Sequence, residues 1–249
     1  MHNSYMNNTN IEAPYVLEET EDFAVVFKPP KMHSAPANGK SQKNDCTLVS
    51  WFAEKSKCFD IMHRLDFETH GLVLFAKNEK SFLFFKYLQD NNEFVKEYSA
   101  VCNPLKPSLV QIPMFIESYF RSYGPGRKLV RPEIDDDKKH KVIVKDKGGF
   151  YRTEIVEKSN NLFTVRIKRG FRHQIRCHLC WIGFPIVNDP LYTNPDFSPP
   201  EAEMQAGVET QTQTRLSSVS LLALRAQALF FSDPAGKQRE YRIASLSDV

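Results

Sequence analysis

Apolar residues recur along most of this chain at the two-residue period of strands, with helical spacing confined to three places. The clusters Tyr15-Val16-Leu17 and Phe23-Ala24-Val25-Val26-Phe27 flank an acidic turn at Glu18–Asp22 and predict two short strands, ended by Pro29-Pro30. Gly71–Ala76, almost continuously apolar after a glycine, predicts a fully buried strand. Further strands are predicted at Phe94–Cys102, Val110–Ile116, Lys141–Lys145, Arg152–Val156, Phe163–Lys168, Leu221–Phe231 and Tyr241–Ile243. The helical segments are Thr47–Lys57, with Leu48, Trp51 and Phe52 on one face and Asp45 near its N-cap, a segment capped by Asn78 with Phe82, Phe85 and Leu88 inward, and His173–Ile182. Strands outnumber helices and do not alternate with them regularly. The expected class is therefore α+β, with a mixed, largely antiparallel curved sheet and flanking helices.

A chain of 249 residues with 41% hydrophobic composition can bury one substantial core. One unit over residues 15–249 is expected, with residues 1–14 a flexible polar tail. The tail lacks a basic stretch followed by an apolar core, and no apolar run is long enough to cross a bilayer, so a cytoplasmic protein without membrane contact is expected. Five scattered cysteines do not form a disulfide framework. Tyr123–His140 and Asn194–Thr214 read as mobile loops, the first carrying the basic stretch Gly124-Pro125-Gly126-Arg127-Lys128.

A net charge of +3 neither requires nor excludes a polyanionic partner, so the distribution of charge matters more. Between Glu157 and Asp189 there is no acidic residue, while Lys158, Arg166, Lys168, Arg169, Arg172 and Arg176 are all present. Such a segment can bind phosphates, because cations that neutralise a nucleic-acid backbone release its counterions. It can equally be a solvated face paired with acids from elsewhere.

The chemistry concentrates in His63-Arg64-Leu65-Asp66-Phe67-Glu68-Thr69-His70-Gly71-Leu72, a polar cluster leading into the buried strand. His63-Arg64-Leu65-Asp66 followed by Thr69 and Gly71-Leu72 resembles the active-site motif of the RluA family of pseudouridine synthases. His173-Gln174-Ile175-Arg176-x-His178 and Ile182-Gly183-x-Pro185-Ile186 resemble its later motif. Lys28-Pro29 with His33, Lys96-x-Tyr98-x-Ala100, and Leu224-Arg225-Ala226 through Asp233-Pro234 and Gly236 are similar to three more of its segments, in the same order.

That resemblance implies two sheet lobes around a central basic cleft, and isomerisation of uridine to pseudouridine in structured ribosomal or transfer RNA. It implies no cofactor or metal, no obligate protein partner, and a monomer. Asp66 would be the catalytic nucleophile, Arg176 would keep it ionised, and Tyr98 would stack on the target base and help move its proton. His63, Arg64, Thr69, Arg172, His173 and Gln174 would bind substrate, with Arg64 favoured as the residue that holds a flipped uridine's backbone or fills the gap it leaves. Arg166 would join Arg172 on the phosphates. The family usually has Ser at the position of His70, and an S4-like RNA-binding module is not expected before residue 14.

Three rival readings follow from the residues alone. His173, Cys177 and Cys180 share a helical face and could hold zinc, although no fourth ligand is evident and cysteines among Leu179, Trp181 and Ile182 fit a buried core. A non-catalytic RNA-binding protein could keep the fold, but would not be expected to keep Asp66, Tyr98 and Arg176 together. A hydrolase using Asp66 with His63 lacks an accompanying Ser or Cys nucleophile motif.

Overall fold

The computed structural model describes residues 13–36, 46–105, 113–127, 129–133, 150–193 and 221–246. Its eleven strands are β1 Tyr15–Glu19, β2 Phe23–Lys28, β3 Asp60–Ile61, β4 His70–Ala76, β5 Val95–Val101, β6 Phe115–Tyr123, β7 Leu129–Glu133, β8 Tyr151–Ser159, β9 Leu162–Ile167, β10 Leu224–Ser232 and β11 Gln238–Arg242. Three helices accompany them: α1 Leu48–Ala53, α2 Glu79–Asp90 and α3 Gln174–Trp181. One continuous sheet runs β1-β2-β4-β10-β5-β9-β8-β6-β7, with β11 added to β10 and β3 to β4. All pairings among these strands are antiparallel except β4 with β10. The mixed, largely antiparallel α+β architecture is thus the one that the strand-rich pattern predicts.

Side-chain alternation along the strands makes two cores. On one face Val26, Val73, Phe75, Tyr98, Val165 and Ala226 pack with Leu48 and Phe52 of α1 and with Ile175 and Leu179 of α3. On the other, Val25, Leu72, Leu74, Phe94 and Phe231 pack with Phe85 and Leu88 of α2. Strand β4 contributes to both and all seven of its residues are buried, which explains its unbroken apolar sequence. Among the described residues no helix is long and apolar enough to cross a membrane.

Local sequence sets the element ends. Asn78 caps α2 as expected, its side chain accepting the Ser81 backbone N–H at 2.8 Å. The cap of α1 is Thr47, reciprocally bonded with Ser50 three residues on. Helix α1 is also shorter than the predicted segment, ending at Ala53. The predicted loop beginning at Tyr123 is corrected in part: β6 and β7 form an antiparallel hairpin around a turn at Pro125–Arg127. Gly124 and Gly126 adopt the positive φ that this reversal needs. The predicted strand at 141–145, the start of the one at 110, Asp45, residues 1–12 and the loop 194–214 lie outside the described residues.

Gly71 permits the one parallel pairing. Its φ is +127°, and a Cβ there would stand 2.2 Å from the Ala226 carbonyl oxygen and 2.6 Å from the Ala226 nitrogen, both backbone atoms. Gly183 also has a positive φ, +86°, but nothing lies within 4 Å of its added Cβ. Gly71→Ala should therefore cost at least about 3 kcal/mol, combining steric overlap with backbone strain, whereas Gly183→Ala should cost about 1 kcal/mol. Urea denaturation of the two variants checks this difference.

Candidate active site

The segment between β3 and β4 carries Asp66, and its backbone is held on both sides of that residue. The Ser34 hydroxyl accepts the Leu65 N–H at 2.9 Å and donates to the Leu65 carbonyl at 2.8 Å. The Thr69 N–H donates to the Asp66 carbonyl at 3.1 Å, closing a turn. Lys28, completely buried, donates through Nζ to the carbonyls of Pro29 at 2.9 Å, Met32 at 2.8 Å and Phe67 at 3.4 Å. The Asp66 side chain remains 25% exposed, open to solvent on a rigid loop.

Helix α3 and its N-cap bring two nitrogens toward that carboxylate. Arg176 Nη1 stands 3.5 Å from Oδ2, and His173 Nε2 stands 3.9 Å from Oδ1. Arg176 is only 3% exposed, and its Nε and Nη2 bind the two oxygens of fully buried Asp189, each at 2.8 Å. Oδ1 of Asp189 also accepts the backbone N–H groups of Leu191 and Tyr192. The guanidinium lies over the Tyr192 ring, and the contact with Asp189 keeps it protonated against the desolvation of burial.

The helix is itself anchored to the sheet. Gln174 accepts the Phe171 N–H and donates to the Arg152 carbonyl and the Thr153 hydroxyl. The His178 ring bridges the Thr153 and Ser118 hydroxyls, and burial lowers its pKa to about 3, so the bridge is neutral. His173 lies at the left-handed N-cap of α3, with Nδ1 2.9 Å from the Tyr192 hydroxyl. Burial lowers its pKa; Asp66 opposes that, Arg176 and Arg172 reinforce it, and Asp189 also opposes it.

Of the residues expected at the site, the structure gathers Asp66, His173 and Arg176 directly. Tyr98 is buried on the same sheet face as α3, and burial together with the Asp66 charge raises its pKa, so it is a phenol at neutral pH. Arg64 is exposed and forms no ion pair among the described residues. The other expected substrate ligands occupy bracing positions. The His63 ring accepts the Leu74 N–H, packs on Phe94 and is held neutral by burial. Thr69 and Gln174 are buried, and Arg172 donates to the carbonyls of Arg127 and Leu129 and to the Ser122 hydroxyl, clamping the β6–β7 hairpin to α3.

Arg166 differs most from expectation. It faces Glu97 across the β5–β9 ladder, at 2.8 Å, and Glu97 alternates with Tyr98, so this pair lies on the opposite side of the sheet from Tyr98. Burial works against the Glu97 charge, but hydrogen bonds from Arg242, Gln227 and Arg166 hold its pKa below the ordinary value. The acid-free segment is consequently split between two faces. His70, paired with Arg225 in the parallel register, is buried, and burial, Arg225 and Lys28 lower its pKa to about 3, so its ring is neutral. Cys177 and Cys180 are buried with Val130 and Tyr192, the Cys177 thiol donating to the Val130 carbonyl, and burial raises both thiol pKa values. His173, the third member of the alternative zinc set, is engaged with Tyr192 instead.

In the sequence Lys28 stands out only within a Lys-Pro motif and Asp189 only as the end of the acid-free segment, while nothing local marks Ser34 or Tyr192. Lys28 beside two prolines was the one available signal, since a lysine within an otherwise buried strand must find carbonyls.

Two outcomes are expected. Asp189→Asn leaves a buried guanidinium without its counter-charge and should cost about 3 to 5 kcal/mol in chemical denaturation. Burial lowers the Lys28 pKa from 10.5 to about 7, partly offset by Asp66 and Glu68. From about pH 7 to 10.5 the unfolded chain then holds a proton that the folded chain has released, so this group makes stability rise with pH across that window. Lys28→Met should flatten that rise by about one proton's worth, which denaturation at several pH values would show.

Comparison with known proteins identifies the family and the fold. The family model for RNA pseudouridylate synthase matches residues 22–181. An uncharacterized Caenorhabditis elegans protein is 30% identical over 192 residues, which cover 74% of this chain and 40% of that protein. A Helicobacter pylori protein named as an uncharacterized RNA pseudouridine synthase is 28% identical over 195 residues, 77% of this chain and 69% of its own. Ribosomal large subunit pseudouridine synthase D of Buchnera aphidicola is 25% identical over 183 residues, 72% of this chain and 54% of its own. The chain thus spans between two fifths and about two thirds of the length of these relatives. The structure of human RNA pseudouridylate synthase domain containing 1 shares the fold, with a TM-score of 0.58 at 18% identity, covering 96% of this chain and 86% of that one. The match spans the loop of Asp66, the strand of Tyr98 and the helix of Arg176, and the chain belongs to the RNA pseudouridylate synthase family.

Proposed function

We propose that this protein isomerises uridine to pseudouridine in structured RNA, with Asp66 as the nucleophile. The observation that carries the reading is a half-buried, solvent-reachable carboxylate on a doubly braced loop, with a buried, permanently charged Arg176 beside one oxygen and His173 beside the other. The reaction breaks the glycosidic bond at N1 of the base, turns the uracil, forms a bond from the sugar carbon to C5 and removes the C5 proton. Atoms and electrons balance within the substrate, so a carboxylate and proton movement suffice. Arg176, 3.5 Å from Oδ2, orients the carboxylate and gives it a fixed positive neighbour.

Tyr98 supports the base by packing. Its raised pKa makes it a poor acceptor for the C5 proton at neutral pH, which favours a stacking or hydrogen-donating part over that of a base. Arg64, exposed and without an acidic partner among the described residues, is suited to hold the displaced RNA backbone. Preservation of Asp66, Tyr98 and Arg176 together favours turnover over a purely RNA-binding role. Relatives named as ribosomal large subunit synthases favour ribosomal RNA as the substrate, ahead of transfer RNA. We further propose that residues 15–249 work as one catalytic unit.

Pseudouridine mapping of total RNA from cells with and without the gene, complemented by wild type or Asp66→Ala, tests this. At least one site should vanish in the deletion and return only with the wild-type gene. No lost site, or full rescue by Asp66→Ala, would refute the assignment. RNA binding by the purified protein should also weaken steeply with added salt.

A further inference from the structure

His173, whose ring stands 3.9 Å from Asp66, has its backbone held in an unfavourable conformation. Its φ of 57° and ψ of 17° lie in the left-handed region, which residues bearing a Cβ avoid unless their surroundings fix them. Those surroundings are visible. Gln174 ties the next residue to Phe171, Arg152 and Thr153, and Tyr192 holds the imidazole through Nδ1 at 2.9 Å. The Tyr192 oxygen in turn accepts the Val130 N–H of β7 at 3.0 Å. One line of contacts therefore runs from the β6–β7 hairpin through Tyr192 and His173 to Asp66.

The chemistry of the two ends selects a form of the ring. Nε2 faces a carboxylate oxygen, and a bare lone pair there would be repelled, so Nε2 carries the proton. In a neutral ring Nδ1 is then an acceptor, and the Tyr192 hydroxyl is the donor that meets it. We propose that His173 is a positioning residue for the nucleophile: a neutral imidazole, held as the Nε2–H form by Tyr192, steadies Oδ1 of Asp66 while Arg176 steadies Oδ2. The hairpin backbone at Val130 is the outer anchor of this relay, so seating of the hairpin on α3 sets the orientation of the carboxylate. The inference rests on Asp66 being the nucleophile.

Neither Asp66 contact is a close hydrogen bond, at 3.5 and 3.9 Å, and the relay requires both to shorten when substrate enters. The charged groups facing the ring are Asp66 from the loop, Arg172 from the turn before α3, Arg176 from α3, and Asp189 beyond it, with the Tyr192 phenol completing the set. A protonated ring would form an ion pair with Asp66 and blunt its nucleophilicity. Keeping the ring neutral is thus part of keeping the carboxylate available, and acid should quench activity through His173.

Histidine-labelled full-length protein gives a readout independent of turnover, because nitrogen NMR distinguishes the two tautomers and the charged ring. At pH 7 His173 should be neutral with the proton on Nε2. Tyr192→Phe removes the donor that favours the neutral ring, so both the ring titration and the acid limb of kcat should move to higher pH together, with KM for RNA little changed. His173→Ala should lower kcat by about tenfold or more, and His173→Gln, which offers an uncharged N–H, should restore most of that loss and abolish the acid limb. An Nδ1–H or charged ring at pH 7, or a Tyr192→Phe profile like wild type, would overturn the relay while leaving normal Asp66 dependence intact. Pseudouridylation that survives Asp66→Ala would instead refute the nucleophile, and with it the purpose of the relay.

Discussion

The bidentate pairing of Arg176 with Asp189 is the contact on which the site depends. A guanidinium that is 3% exposed must be neutralised, and Asp189 does so at 2.8 Å through both oxygens while accepting two backbone N–H groups itself. With Nε and Nη2 committed there, the remaining nitrogen is turned toward Asp66 at 3.5 Å. A lysine could not divide its bonds in this way, because the planar fork of arginine fixes where the third nitrogen points. The cation is thereby preorganised before substrate arrives, and its reorganisation does not add to the barrier.

The rest of the fold serves to bring that helix and the Asp66 loop together. Thr153 and Ser118 of neighbouring strands receive His178, and Gln174 binds the backbone of β8, so α3 is keyed into the sheet by polar contacts as well as by Ile175 and Leu179. The loop is keyed by Ser34 and Lys28 to the segment that follows β2. Between the two lies β4, buried on both faces, whose approach to β10 is possible because residue 71 has no Cβ. Fixing two short segments against one sheet is how a fold of modest regularity reaches catalytic precision.

Much of this was legible in the sequence where local physics decides. Alternation gave the strands that carry Tyr98 and Phe163, the Asn78 cap marked α2, and the run after Gly71 marked a strand buried on both sides. The family-like spacing brought Asp66 and Arg176 into one account before any distance was known. What the sequence left hidden depends on long-range register and packing. A basic residue on a strand does not announce its face: Arg166 is consumed by Glu97, from a strand almost seventy residues earlier, on the side of the sheet away from Tyr98. His63, Thr69 and Gln174 look like ligands in a motif, yet burial turns their polar atoms to bracing or encloses them. The hairpin read as a loop because its glycines and charges carry the turn, while its pairing with β6 is only decided in three dimensions.

The most direct test of the central claim uses purified protein and an RNA that the wild type modifies, measuring pseudouridine formation and RNA affinity side by side for wild type and Asp66→Asn. The amide keeps the size of the side chain but removes its charge and nucleophilicity. Undiminished RNA binding with no detectable pseudouridine is the result that follows from Asp66 as nucleophile. Turnover within a few-fold of wild type would contradict it.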